Sequence, residues 1–341
     1  MTTRTTTNRL VPFALGLGIA LATTTFLRKR RTYDLRNKVV LITGGARGLG
    51  LVMARQLAKE GAKLAICARS TDQLETALHQ LTALGAEVMA LPCDVANQTD
   101  VEQLVERILT RFGRIDVLIN NASVIQLGPF DNTTLQDYHE AMDINFFGSL
   151  HTIMAVVPQM RERKEGRIVN ISSVGGKVGL PHLLPYSASK YAIGGFSKGL
   201  RSELAKDGIV VTTIFPGLLR TGSPRNAIIK GQHQDEYAWF KWVDSAPFLS
   251  AVAEDAAAEI ITALKNGRAE LVITLSGKLI AIFNELFPEL TTNVFGLVNR
   301  FLPKPAANPN PQRKGYQSES STSHQGFNKL SDQAAVRNNE F

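Results

Sequence analysis

Short runs of apolar, often β-branched residues alternate along the chain with stretches that carry apolar residues at helical spacing. The runs contain few polar positions, so they predict strands that are buried on both faces. Strand–helix alternation on this scale predicts an α/β fold: a doubly wound parallel sheet with helices on both faces. The predicted strands are 38–43, 63–68, 87–93, 115–120, 167–172, 209–215 and 271–275, and the predicted helices are 48–60, 71–84, 98–112, 134–163, 185–206 and 254–266.

Three later stretches depart from this alternation. Residues 218–250 form an insertion rich in aromatic side chains, which we expect to shape a substrate site. Residues 277–302 predict two short amphipathic helices, which either cover the sheet edge or lie at a membrane surface or over the substrate site. Residues 303–341 are rich in Pro, Asn, Gln and Ser, and predict a disordered tail.

The N-terminal part of the chain contains an apolar segment, 10–27, with no charged residue, and the basic run 28–31 follows it directly. As a helix this segment would be about 27 Å long, which is marginal for a hydrocarbon core of ~30 Å but within the range for a span. The basic flank predicts that 1–31 is a single-pass membrane anchor and that the main domain, 32–302, lies in the cytoplasm. A cleaved signal peptide ending near 20–22 and an ordinary buried helix are the alternatives.

The net charge of +8 over 341 residues comes from the two ends of the chain, because basic and acidic residues are equal in number across 32–302. A nucleic-acid-binding domain would concentrate positive charge on a folded face, so no nucleic-acid partner is expected. Two cysteines, Cys67 and Cys93, are too few for a disulfide-rich scaffold or a multi-cysteine zinc site. The six histidines lack metal-ligand spacing, so no metal is predicted.

A glycine-rich loop, Thr43-Gly-Gly-Ala-Arg-Gly-Leu-Gly50, joins the first predicted strand to the first helix. Glycines let a ligand approach the backbone closely, and a helix N-terminus offers free N–H groups and positive partial charge. The loop therefore predicts a phosphate-binding site, although its Gly-x-x-x-Gly-x-Gly spacing differs from the common Gly-x-Gly-x-x-Gly pattern. The residues assigned to it are Gly44, Arg47, Gly48, Leu49 and Gly50.

The end of the second predicted strand indicates which dinucleotide is bound. NAD sites place an acidic residue there for the ribose 2′-hydroxyl, whereas NADP sites supply arginine for the 2′-phosphate. This strand ends in Cys67-Ala68-Arg69 without an acid, and Arg47 lies in the nearby loop. Two guanidinium groups suit a dianionic phosphate, so NADP is favoured and NAD is the less favoured alternative.

Tyr186 and Lys190 lie four residues apart at the start of a long predicted helix, so they share one face. A nearby ammonium favours the phenolate and lowers the pKa of a tyrosine, which makes it a proton donor or acceptor for a carbonyl or alcohol oxygen. Ser173 ends the fifth strand, and Asn145 lies within the predicted helix 134–163. The loop, Ser173 and Tyr186 all fall at the carboxyl edge of the predicted sheet, where doubly wound folds bind ligands.

Over about residues 36–275 these motifs together resemble the classical short-chain dehydrogenases/reductases. The resemblance implies a Rossmann-type sheet of about seven strands, a nicotinamide cofactor and a homo-oligomer. Tyr186 would be the general acid/base, Lys190 would lower its pKa and bind the ribose, Ser173 would bind the substrate oxygen, and Asn145 would anchor a water that relays protons through Lys190. The further cofactor residues that it implies are Asp94 and Val95 near the adenine, Asn121 and Ala122 beside the central sheet, and Pro216, Gly217 and Thr221 at the carboxamide. Ser123 departs from the glycine usual in this family, without removing a chemical group.

The predicted function is an NADP-dependent oxidoreductase that reduces a carbonyl or performs the reverse reaction. An apolar substrate is expected from the anchor, the aromatic insertion and the apolar residues Ile125, Leu127, Leu180, Leu183 and Leu184. His182, in the loop before Tyr186, is expected to be solvated. The alternatives are an NAD-dependent alcohol dehydrogenase and a non-catalytic, membrane-tethered NADP(H)-binding module.

Overall fold

A seven-stranded parallel sheet forms the centre of the protein in the computed structural model, which describes residues 32–307, 312–324 and 328–341. The spatial order is β7-β6-β5-β4-β1-β2-β3, so the order reverses between β1 and β4. This confirms the predicted doubly wound α/β fold. The strands are β1 (Val39–Thr43), β2 (Lys63–Ala68), β3 (Val88–Pro92), β4 (Val117–Asn120), β5 (Gly166–Ile171), β6 (Ile209–Pro216) and β7 (Glu270–Ile273).

Helices cover both faces of this sheet and enclose two apolar layers. In β1, Val40 and Ile42 belong to one layer, and Val39 and Leu41 belong to the other. This alternation explains why the strand is a continuous apolar run in the sequence. The surrounding helices are α1 (Gly48–Lys59), α2 (Thr71–Ala83), α3 (Gln98–Phe112), α4 (Leu135–Met142), α5 (Gly148–Glu162), α6 (Leu184–Leu204), α7 (His233–Ser245) and α8 (Ala253–Lys265).

The single helix predicted over 134–163 is interrupted. A π-helical turn, Asp143–Phe147, separates α4 from α5 and contains Asn145. A π-helical turn holds roughly one residue more than an α-helical turn, which redirects a side chain within a continuous helix. Such turns are frequent at functional sites. Helical periodicity alone does not reveal such a turn, since the chain remains helical on both sides.

The insertion 218–250 folds against the carboxyl edge of the sheet. Leu218–Arg220 pairs in parallel with Ser250–Val252, and α7 lies between these two strands along the chain. A small second sheet combines Gln126–Leu127, Ile228–Ile229 and Arg313–Lys314. Because its third strand comes from the C-terminal segment, that segment is tied to the substrate side of the domain.

Two short helices follow β7, close to the predicted range 277–302: α9 (Leu275–Leu286) and α10 (Pro288–Asn299). Among the described residues, no helix is both long and apolar enough to cross a bilayer. The segment 10–27, predicted to be an anchor, lies outside the described residues.

The expectation of a disordered tail from residue 303 is wrong for the parts of it that the structure describes. Helix α11 (Asn328–Arg337) packs against α7, and Ala334 and Ala335 are fully buried. The Lys241 ammonium lies 2.7 Å from the Asp332 carboxylate. The polar composition of the segment misled the prediction, since small and polar side chains here are buried by tertiary contacts rather than by an apolar core.

Candidate active site

A cavity of about 480 Å³ opens at the carboxyl edge of the sheet, beside the point where the strand order reverses. Ligands bind at such switch points in doubly wound folds because the loops diverge there. The structure brings almost all the predicted site residues to this cavity; only Gly50 and Asn145 do not line it. Those that line it are Gly44, Arg47, Gly48, Leu49, Arg69, Asp94, Val95, Asn121, Ala122, Ser173, Tyr186, Lys190, Pro216, Gly217 and Thr221.

The glycine loop is held rigidly between the ends of β1 and β4. The Thr43 hydroxyl accepts hydrogen bonds from the backbone N–H groups of Asn121 and Ala122, both at 3.0 Å. The Asn121 amide nitrogen donates to the carbonyl oxygens of Thr43 and Gly44. A Cβ at Gly50 would overlap the Gly44 carbonyl oxygen, so this glycine permits close packing of α1 on the loop instead of lining the cavity.

The N-terminus of α1 has the form expected for a phosphate site. Gly44 and Gly48 have positive φ angles of 63° and 53°. Arg47, which precedes the helix, provides no side-chain cap for its N–H groups. A Cβ at Gly48 would meet only the Glu340 carboxylate, 2.5 Å away. The cradle therefore fits a dinucleotide pyrophosphate, although part of it holds the end of the chain in this structure.

Three cationic residues surround one corner of the cavity: Arg47, Arg69 and Lys314. Burial and the charges of Arg69 and Arg47 lower the pKa of Lys314, which shows how closely the positive charges approach one another. A dianionic phosphate would relieve this repulsion. The two arginines are predicted from the sequence. Lys314 is not, because it lies in the segment expected to be disordered.

Ser173, Tyr186 and Lys190 line the same cavity. Burial raises the pKa of Tyr186, and a hydrogen bond with Ser173 opposes that shift. The Ser173 hydroxyl also accepts a hydrogen bond from the Gly175 N–H at 3.1 Å. The Lys190 ammonium donates to the Ile171 carbonyl oxygen at 3.1 Å and lies 5.6 Å from the centre of the Tyr186 ring.

The expected lowering of the tyrosine pKa by lysine is not what the structure shows. Burial lowers the pKa of Lys190 to about 7, so the lysine is only partly charged at neutral pH. A partly neutral amine stabilises a phenolate weakly, and burial of the phenol outweighs the Ser173 hydrogen bond.

Asn145 does not line the cavity, and its side chain hydrogen-bonds behind the cavity wall. Its side chain pairs with the backbone of Val124, accepting from the N–H at 2.8 Å and donating to the carbonyl at 3.1 Å, and it also donates to the Ser189 hydroxyl. Ser189 in turn donates to the Tyr186 carbonyl oxygen at 2.7 Å. Asn145 therefore connects the loop after β4 to the first turn of α6. The water relay through Lys190 stays a prediction.

An apolar wall lies beside Tyr186, and the insertion contributes Phe240 to it. Ile125, Leu180, Leu183 and Phe240 line the cavity, as expected for the first three. Leu127 is buried in the cluster behind this wall, and Leu184 is partly exposed. Ser123 has no positive φ angle, so replacing the usual glycine causes no backbone strain there.

His182 is buried, contrary to expectation, and holds α7 to the loop before Tyr186. Its Nδ1 atom lies 2.8 Å from the carboxylate of Glu236, and the Trp239 indole N–H donates to the same carboxylate at 2.8 Å. Both acid and imidazole are almost completely buried. Since 54 residues separate the pair in sequence, spacing alone gave no signal for it.

Asp244 is a second residue that the sequence did not single out. It lines the cavity, and burial raises the pKa of its carboxyl to about 8. Arg220 opposes this shift, and Glu340 adds to it. Within the described part of the chain, its Oδ2 atom has no hydrogen-bond partner.

Comparison with known proteins agrees with this geometry. The family model described as short chain dehydrogenase matches residues 38–229. The chain is 36% identical over 269 residues to a dehydrogenase/reductase SDR family protein 7-like of Anopheles gambiae, covering 77% of this chain and 83% of the relative. It is 38% identical over 201 residues to a putative ketoacyl reductase of Streptomyces coelicolor, covering 58% and 76%.

Two solved structures share the fold. A short-chain dehydrogenase from Streptomyces avermitilis has a TM-score of 0.67 and 28% identity, with 78% of this chain and 98% of that chain covered. An actinorhodin polyketide ketoreductase with NADPH has a TM-score of 0.63 and 33% identity, with 71% and 97% covered. The chain therefore belongs to the short-chain dehydrogenase/reductase family. It is an NAD(P)-dependent oxidoreductase that acts on CH–OH or carbonyl groups.

Proposed function

We propose that this enzyme reduces the carbonyl group of an apolar substrate with NADPH, and that Tyr186 supplies the proton. One observation carries the proposal: the buried Ser173–Tyr186–Lys190 group shares a single cavity with the glycine loop and its three cations. The reaction thus has a proton donor at one end of the cavity and a phosphate-binding site at the other.

The chain's own residues have distinct roles in this proposal. The nicotinamide supplies the hydride when it is bound. Ser173 and Tyr186 hydrogen-bond the carbonyl oxygen, and the Tyr186 hydroxyl gives its proton as negative charge develops there. Lys190, which burial leaves only partly charged, lies 5.6 Å from the centre of the Tyr186 ring and supports the phenol from there, and Asn145 fixes the turn that carries Tyr186. The apolar wall of Leu180, Leu183 and Phe240 excludes water from the reacting group.

Cofactor choice follows from the cationic corner. NADPH should bind more tightly than NADH, and replacing Arg47 or Arg69 with Ala should weaken NADPH binding with little effect on NADH. Loss of one charge-assisted hydrogen bond costs about 1.5–3 kcal/mol, or roughly 10- to 150-fold in Kd. Arg107→Ala is a matched control, since Arg107 lies in a neighbouring pocket but not in the main cavity. A preference for NADH would instead support the oxidative, NAD-linked alternative.

The catalytic role is tested by Tyr186→Phe. NADPH binding should persist while turnover in a panel of lipid, retinoid, steroid and small polar carbonyls falls to background. Tyr191→Phe, five residues further along the same helix and 44% exposed, should retain turnover. If Tyr186→Phe keeps full function, the non-catalytic binding module is the better description. In the parent enzyme, turnover of small polar carbonyls alone would contradict an apolar substrate.

We further propose that 10–27 anchors the enzyme to a membrane with the catalytic domain in the cytoplasm, and that the enzyme forms a homo-oligomer as its family resemblance implies. Alkaline extraction of membranes containing the full chain tests the anchor, because a peripheral protein would be released. Cross-linking of the full chain tests the oligomer.

A further inference from the structure

Helices α9 and α10 form a hairpin, defined here as residues 275–301, that exposes apolar side chains on nearly every side. Leu275, Leu286 and Phe301 are 72%, 65% and 83% exposed. In the two helices only Gly277 and Thr291 are buried. The other large apolar residues exposed on the hairpin are Leu279, Ile282, Phe283, Phe287, Leu290, Val294, Leu297 and Val298.

The hairpin is attached to the domain at the start of α9 and again near the end of that helix. The Thr274 hydroxyl caps α9 by accepting from the Gly277 N–H, and Ser276 donates to the Leu249 carbonyl oxygen. Asn284 donates to the Lys177 carbonyl oxygen at 3.1 Å. These polar bonds fix where the hairpin leaves the domain, while its apolar side chains remain available to a partner.

The composition of the hairpin requires an apolar partner. Across 275–301 the charged residues are Lys278, Glu285, Glu289 and Arg300. Water-facing surfaces of soluble proteins rarely carry a continuous apolar patch larger than a few hundred Å². A helix pair that covers the sheet edge would bury one apolar stripe, whereas here almost all the apolar residues are exposed.

The path of the chain indicates that this partner is a lipid bilayer. The described chain begins at Thr32, and the Tyr33 N–H donates to the Lys265 carbonyl oxygen at 3.0 Å, at the end of the helix that leads into edge strand β7. The hairpin begins two residues after the same strand. The four basic residues 28–31 and the apolar segment 10–27 therefore precede a point at the amino end of β7, whereas the hairpin leaves the carboxyl end of the same four-residue strand. A basic run suits anionic headgroups, and an adjacent apolar helix pair suits the acyl boundary.

We propose that residues 275–301 lie within the interfacial region of a bilayer as a second membrane contact, separate from segment 10–27. This contact does not depend on the proposed reductase activity. It would hold the domain at two points along the β7 edge, so that the domain would have a fixed orientation on the membrane.

Site-specific fluorescence in vesicles tests this proposal with the full chain. Both natural cysteines are buried, so Leu286→Cys or Leu297→Cys provides one accessible thiol for an environment-sensitive dye. Leu135→Cys is the matched control, because Leu135 is 73% exposed but lies on α4, away from the hairpin. The vesicles contain phosphatidylcholine and phosphatidylserine, with or without bromine on the acyl chains.

The expected result is blue-shifted emission from positions 286 and 297 that brominated acyl chains quench, with neither effect at position 135. Unshifted emission at the hairpin positions would overturn the proposal. Blue-shifted emission without lipid quenching would also overturn it: loss of the shift on dilution would indicate a second copy, and persistence would indicate cover by the chain's own N-terminal segment. NADPH binding by the same labelled samples separates a failure here from a failure of the proposed enzymatic function.

Discussion

Residues 338–341 lie against the glycine loop, where we propose that the cofactor phosphates bind. The Asn338 carbonyl oxygen accepts a hydrogen bond from the Gly48 N–H at 2.8 Å, and the Asn339 amide donates to the Ala46 carbonyl oxygen at 2.9 Å. The Glu340 carboxylate lies 3.5 Å from the Arg47 guanidinium. If the glycine loop binds pyrophosphate as proposed, residues 338–341 and NADPH compete for the same N–H group and the same cation. We predict that deleting 338–341 tightens NADPH binding.

The magnitude follows from the contacts that are lost. A neutral hydrogen bond contributes about 0.5–1.5 kcal/mol net, so the Asn338 and Asn339 bonds to the glycine loop together contribute about 2 kcal/mol, or roughly 30-fold in Kd. This is a lower bound, because 338–341 also forms hydrogen bonds with Arg55, Gln73 and Asn226. Glu340 adds little at neutral pH, because burial raises the pKa of its carboxyl and offsets the ion pair with Arg47. Since the pKa of Glu340 is higher when the segment is docked, protonation favours docking, and competition should weaken as the pH rises.

Fluorescence titration with NADPH measures this effect on the full chain and on the variant that ends at Arg337. Helix α11 should remain in place, because Ala334 and Ala335 are buried and Asp332 stays paired with Lys241; thermal unfolding checks this. Glu319→Gln is the control, since it removes an ion pair with Arg225 in the C-terminal segment. Weaker binding by the shortened chain would refute the reasoning and show that 338–341 completes the cofactor site. Unchanged binding would show that the phosphates do not use the Gly48 N–H.

Three other predictions concern the site and its supports. Gly50→Ala should abolish NADPH binding, because its Cβ would overlap the Gly44 carbonyl oxygen, whereas Gly195→Ala, where a Cβ meets open space, should bind normally in the same titration. Burial lowers the pKa of Lys190 from 10.5 to about 7, so between these values the unfolded chain binds more protons at this site than the folded chain. The free energy of unfolding of the parent should therefore rise with pH in this window relative to Lys190→Met, and parallel curves from denaturant titrations would contradict the burial argument. Glu236→Gln should raise the KM for the carbonyl substrate without changing the Kd for NADPH, because it loosens α7 from His182; the exposed neighbour Asp235→Asn should do neither, and equal effects of both variants would show that the buried pair does not position the wall.

Regular secondary structure could be predicted from the sequence because packing against the apolar layers fixes which nearby positions are apolar. The first four residues of β1 face two cores alternately, so all four are apolar. The two ends of helix α3 are also marked in the sequence. Asn97 caps the first turn, and Gly113 ends the helix with a φ of 75°. The glycine loop and the Tyr186–Lys190 pair were found for the same reason, since their function requires fixed local spacing.

The features that the sequence did not reveal depend on contacts between distant parts of the chain. His182 and Glu236 form a buried pair only because α7 folds back over the loop before α6. Lys314 joins the cationic corner only because its strand pairs with Ile228–Ile229. A polar segment such as 328–341 cannot be distinguished by composition from a disordered one when its order comes from a groove formed elsewhere.

The two ends of the cavity are connected through the C-terminal segment. Asp244 lies in the wall of the cavity, and the charge of Glu340 helps to raise the pKa of its carboxyl, while Arg220 lowers it. Glu340 is at the same time beside Gly48 and Arg47, at the phosphate end. Displacing residues 338–341 from the glycine loop therefore removes one carboxylate that raises the pKa of Asp244, whereas a dinucleotide would bring phosphate charges to the same place. The protonation of Asp244, whose pKa is about 8, is thus coupled to which anion lies at the glycine loop.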